Sequence, residues 1–80
     1  MESVRIYLRT PLYAARKSSH VPQGAVVLEG KVEEQAHGGM VVAVHVWLDD
    51  QGRALEGAAK RLFLPLAKID HVELLDGDAA

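Results

Sequence analysis

The sequence predicts an all-β fold: a small, strongly bent antiparallel barrel of five or six strands. Three observations lead to it. Apolar residues alternate with polar ones over most of the chain, the pattern of half-buried strands. Glycine and proline interrupt these runs at short intervals and leave almost no room for helix. Gly30 falls in the middle of a long strand, on its apolar face, where a small barrel needs a sharp bend.

Val4, Ile6 and Leu8 alternate with Arg5, Tyr7 and Arg9, so Ser3 to Thr10 reads as a first strand, ended by Pro11, which lacks a ladder donor. Leu12 to Lys17 fits either one or two helical turns or a basic loop. His20-Val21-Pro22-Gln23-Gly24 has turn chemistry, with Pro22 at the first central position.

Val26 to Leu48 reads as a hairpin around His37-Gly38-Gly39. Val26, Leu28, Gly30 and Val32 share one face of its first arm. Met40, Val42, Val44, Val46 and Leu48 share one face of the second, opposite Val41, Ala43, His45 and Trp47. A three-residue loop with a left-handed glycine predicts pairing of residue i with residue 76 − i, which sets Val32 against Val44 and Leu28 against Leu48. Gly30 then reads as a bend, a bulge or a close-packing position.

Asp49-Asp50-Gln51-Gly52 reads as a type I turn leading into a further paired strand at Arg53 to Glu56, interrupted by Gly57-Ala58-Ala59. Arg61 to Leu64 is a short buried run stopped by Pro65. Leu66 to Lys68 makes a single tight helical turn. Ile69 to Leu75 forms the last strand, with Val72 on the face opposite His71 and Glu73.

Eighty residues make one domain, taken as residues 1–76, with 77–80 an acidic tail. A chain this short buries only roughly 60–65% of its unfolded surface, so association with further copies would add stability. Without cysteine there is no disulfide framework, thiolate metal site or cysteine nucleophile. Met1 to Thr10 lacks the apolar core of a secretory leader, and Met40 to Leu48 is too short to span a bilayer. The expectation is a cytoplasmic protein with no membrane partner. The net charge of −2 divides unevenly, with +3 over residues 1–20 and −5 over residues 21–80. The basic end is what a nucleic-acid partner would need; the total is not.

The run Arg61-Leu62-Phe63-Leu64-Pro65-Leu66-Ala67-Lys68-Ile69-Asp70-His71-Val72-Glu73-Leu74 resembles the end of Sm-like proteins, among the small SH3-like barrels. Val4 to Leu8 and Leu28 to Val32 stand where that family has its first strand and its bent second strand. The resemblance implies a barrel closed by the last strands, pairing of the final strand with a neighbouring subunit, and RNA as a ligand. The family's Asp and Asn between the second and third strands are replaced here by His37-Gly38-Gly39.

Few residues suggest catalysis. Ser18, Ser19 and His20 are adjacent in sequence but lack a nucleophile elbow. The histidines, His20, His37, His45 and His71, have no metal-ligand spacing, and no phosphate-cradling loop occurs. A non-enzymatic module with no metal and no cofactor is expected. Arg5, Tyr7, Arg9, Arg16 and Lys17 combine cations with an aromatic ring, as RNA phosphates and bases require. Alternatively, Arg5 and Arg9 pair with Glu29 and Glu33 on a neighbouring strand. Both faces of Met40 to Leu48 are apolar, which points to a homo-oligomer with Val41, His45, Trp47 and Val72 at its interface. An RNA-binding or adaptor role and a purely protein-interaction role both follow from this reading.

Overall fold

The computed structural model describes residues 3–13 and 21–75. It is an all-β chain whose single six-stranded antiparallel sheet curls strongly into a half-barrel. The strands are β1 (Ser3–Leu8), β2 (Val27–Ala36), β3 (Gly39–Leu48), β4 (Ala54–Leu55), β5 (Lys60–Pro65) and β6 (Ile69–Leu74). A single 3₁₀ turn, Leu66–Lys68, joins β5 to β6. The sheet order is β4-β3-β2-β1-β6, and β5 pairs with the other half of the β3 edge that β4 uses.

Alternation builds the core as the sequence predicts on β1, where Val4, Ile6 and Leu8 point inward. They meet Leu28, Val42, Val44, Trp47, Leu64 and Ile69, with Val32, Leu62 and Val72 partly buried around them. Asp49 closes the turn after β3 by accepting the Gln51 and Arg53 N–H groups at 2.9 and 2.8 Å. Gly52 adopts φ 80° there, a conformation that favours glycine.

The central hairpin departs from the predicted register. Val27 to Glu29 pair with Leu48 to Val46, but Gly30 then pairs with Val44 and Val32 with Val42. His45 is thus an extra residue on β3, and Glu33 is an extra residue on β2. The loop is also shorter than predicted: Ala36 pairs with Gly39, so only His37 and Gly38 turn, with Gly38 at φ 90°.

The bulge at His45 has a large effect on packing. In a regular strand Trp47 would lie opposite Val42 and Val44. The added residue reverses the parity, so all three face the core. Gly30 belongs to the same distortion, because a Cβ there would overlap the Ala43 carbonyl and the Val44 backbone. The bulge and the glycine together let β2 and β3 close tightly and bend.

Candidate functional site

The outer face of β6-β1-β2 carries the N-terminal residues singled out in the sequence. The ladder sets Arg5 between Glu29 and Glu73, and Tyr7 beside His71. Arg5 Nε lies 2.8 Å from Glu29 Oε2, and its Nη1 lies 3.0 Å from Glu73 Oε1. The Tyr7 hydroxyl donates to the same Glu73 oxygen at 3.1 Å. The Tyr7 ring stacks on His71 with centroids 4.3 Å apart and planes 11° from parallel. Cross-strand opposition places each pair on one face, so these contacts follow directly from register.

This arrangement assigns Arg5 to two carboxylates and Tyr7 to an imidazole. A phosphate approaching Arg5 would have to displace a carboxylate, and a base would have to displace His71. The pairing of Arg5 with Glu29 is one of the alternatives the sequence offered. Arg9 is exposed, and its backbone N–H donates to the Lys68 carbonyl at 2.8 Å. Glu33 pairs with Arg61 and not with Arg9. Arg16 and Lys17 lie outside the described residues, as do Ser18, Ser19 and His20.

The four interface candidates separate. Trp47 is corrected: it is only 1% exposed and fills the core, with its indole N–H donating to the Ala58 carbonyl at 3.3 Å. The physical reason is the parity change at the His45 bulge. His45 itself is exposed. Val41 is half-buried on the outer face, opposite Phe63. Val72 is half-buried against the core, opposite Ile6.

Features that sequence reasoning missed lie on β5, β6 and the turn between them. The expected buried run Arg61 to Leu64 is corrected: β5 alternates, with Leu64 buried and Arg61 and Phe63 on the outer face, and Phe63, Leu66 and Leu74 are each more than half exposed. Phe63 sits over Gly39, where a Cβ would strike its ring. A groove of about 280 Å³ opens at the bulge, lined by Lys31, His45, Lys60 and Arg61 over a floor that includes Ala43 and Ala59. The ladder explains it: Lys31, Ala43 and Arg61 oppose one another across β2, β3 and β5. The adjacent cations Lys60 and Arg61 were the available signal, but Lys31 joins them only through the shifted register.

Among the described residues, no cluster of three or more His, Cys, Asp or Glu gathers in a metal-binding arrangement. No helix among them is long and apolar enough to cross a membrane. Comparison of the chain with protein-family models, with curated proteins and with solved structures finds no match.

Proposed function

We propose that this chain is a non-enzymatic, self-associating β-sheet module, a scaffold or adaptor subunit whose copies join edge to edge. The observation that carries this reading is a pair of unpaired strand edges of opposite charge. β5 pairs only with β3, and β6 only with β1, so each leaves its other edge open among the described residues. β5 begins with Lys60 and with Arg61, which Glu33 already holds, whereas β6 carries Asp70 and Glu73, which Arg5 already holds, so the opposite signs of the two edges are partly neutralised within each copy.

Two β5 edges would oppose cations, and two β6 edges would oppose carboxylates. β5 of one copy against β6 of the next matches the signs. Such a head-to-tail contact repeats, and it makes a ring when the rotation closes. An open edge invites strand addition through its unpaired backbone groups. The exposed Leu66 and Leu74 lie at the ends of these same elements. The resemblance of Arg61 to Leu74 to the end of Sm-like proteins agrees with this geometry, since in that family the final strand pairs with a neighbour.

RNA binding through the N-terminal strand is the less favoured reading, because Arg5 and Tyr7 already have partners. Native mass tests the proposal. An assembly at micromolar concentration is expected, and Leu74→Lys should raise its dissociation constant at least tenfold without changing the melting temperature. A wild-type chain that stays monomeric at about 100 µM, where even weak association would be visible, would overturn it.

A further inference from the structure

We infer that the basic groove beside the His45 bulge binds a phosphomonoester dianion, with the organic part of the ligand lying along the groove's apolar floor. One copy of the chain forms the whole groove, so the inference stands apart from the edge pairing proposed above.

The shifted register brings the cations together. Lys31 opposes Ala43, and Ala43 opposes Arg61, so the two cationic side chains leave backbones about 10 Å apart with only a methyl group between them. Lys60, which pairs with Val44 at the start of β5, also lines the groove. None of the lining residues carries a carboxylate. Lys31 and Lys60 make no ion pair among the described residues. Arg61 is held by Glu33, but through Nε alone, which donates to Glu33 Oε1 at 2.5 Å. That contact orients the guanidinium and leaves both Nη nitrogens to donate to a ligand.

Charge and shape then select the ligand. Three cations against the single carboxylate of Glu33 leave a balance of two positive charges. A phosphomonoester carries about −1.5 to −2 at neutral pH and presents three strong acceptor oxygens. Those oxygens point in different directions, which suits cations reaching in from β2 and from β5. A carboxylate offers two oxygens in one plane and half the charge. Between the cations, Ala43, Val44 and Ala59 supply apolar surface for the body of a small organic phosphate. The volume of about 280 Å³ is that of a small-molecule site.

Calorimetric titration of the full chain at about 50 mM salt, where screening is limited, tests the site with defined probes. Phenyl phosphate should bind with a dissociation constant of about 1 mM or lower. Phenyl sulfate has the same shape with one charge fewer, and phthalate is a dianion with planar groups; both should bind at least fivefold more weakly. Inorganic phosphate should also bind more weakly, because it leaves the floor uncovered; equal affinity would overturn the role of the floor. Lys31→Gln with Lys60→Gln should weaken phenyl phosphate at least tenfold, whereas Lys31→Arg with Lys60→Arg should stay within about threefold of wild type. The probe comparison uses the wild-type chain, so it decides the inference even where the glutamine variant melts early. No heat with phenyl phosphate up to about 10 mM, or equal affinity for phenyl sulfate or phthalate, overturns it. A uridine octanucleotide with hydroxyl ends that binds more tightly than phenyl phosphate, and loses affinity in the glutamine variant, also overturns it and assigns the groove to a phosphodiester chain.

Discussion

Gly30 on β2 and Ala43 on β3 approach so closely that a side chain on residue 30 would overlap the Ala43 carbonyl oxygen. The atom in the way belongs to the backbone, so no rotamer change relieves the overlap. Gly30→Ala should therefore destabilise the fold by about 1–3 kcal/mol, as overpacking of a closed site does. The melting temperature should fall by about 4–8 °C for each kcal/mol in a domain of this size. Gly38→Ala, by contrast, meets no atom within 4 Å but needs φ 90°. Its cost should be about 1–2 kcal/mol and purely conformational. Gly38→Asn should recover part of that loss, whereas Gly30→Asn should not. Thermal melts of the four variants check the distinction.

Trp47 is a core residue, so its truncation should act on folding and not on assembly alone. Trp47→Ala should cost about 3–5 kcal/mol, a large part of the stability available to a chain of eighty residues. Far-ultraviolet circular dichroism should then change together with native mass. Loss of assembly with the secondary structure and melting temperature intact would contradict the buried position.

Arg5 separates Glu29 from Glu73 across three strands. Arg5→Ala should lower the urea midpoint modestly, because it leaves two carboxylates facing a missing cation. The loss should shrink in high salt, where screening weakens both the attraction and the repulsion it leaves behind. Urea titrations of wild type, Arg5→Ala, Glu29→Gln and the double variant, each at low and high salt, measure the coupling.

Asp49 accepts hydrogen bonds from the Arg53 backbone N–H, foremost, and from the Gln51 N–H, and pairs with the Arg53 guanidinium at 3.0 Å. These contacts hold its carboxyl below the ordinary aspartate value, against the opposing effect of burial. A carboxyl whose pKa is lower folded than unfolded stabilises the fold above the unfolded value, and that contribution is lost as pH falls through the folded value. Asp49→Asn should thus lower the urea midpoint at pH 7, and the gap to wild type should narrow below the ordinary carboxylate range. A gap constant with pH would show that the charge of Asp49 contributes nothing.

Much of the architecture is legible in local pattern. The alternation of Val4, Ile6 and Leu8, the Asp49 to Gly52 turn and the single turn at Leu66–Lys68 all lie close to where the residues indicate. Local chemistry suffices there because a two-residue period, a proline or a glycine constrains its own backbone. The candidate sites were less legible. Arg5 looked like a phosphate ligand because its cations and aromatic neighbour are adjacent in the chain, whereas Glu29 and Glu73 are distant in sequence.

The sequence by itself determined that the chain is all-β, where its strands begin and end to within a few residues, and that Gly30 marks an irregular point of its central hairpin. Only the tertiary structure decided which face of that hairpin is which. One extra residue at His45 shifts the register and turns Trp47 inward. The same shift aligns Lys31 with Ala43 and Arg61 and so forms the basic groove. The reason is that strand alternation has a period of two, so a single inserted residue inverts everything beyond it. Whether a bulge forms depends on how closely the partner strand approaches, a non-local quantity that the residues of β3 alone do not carry.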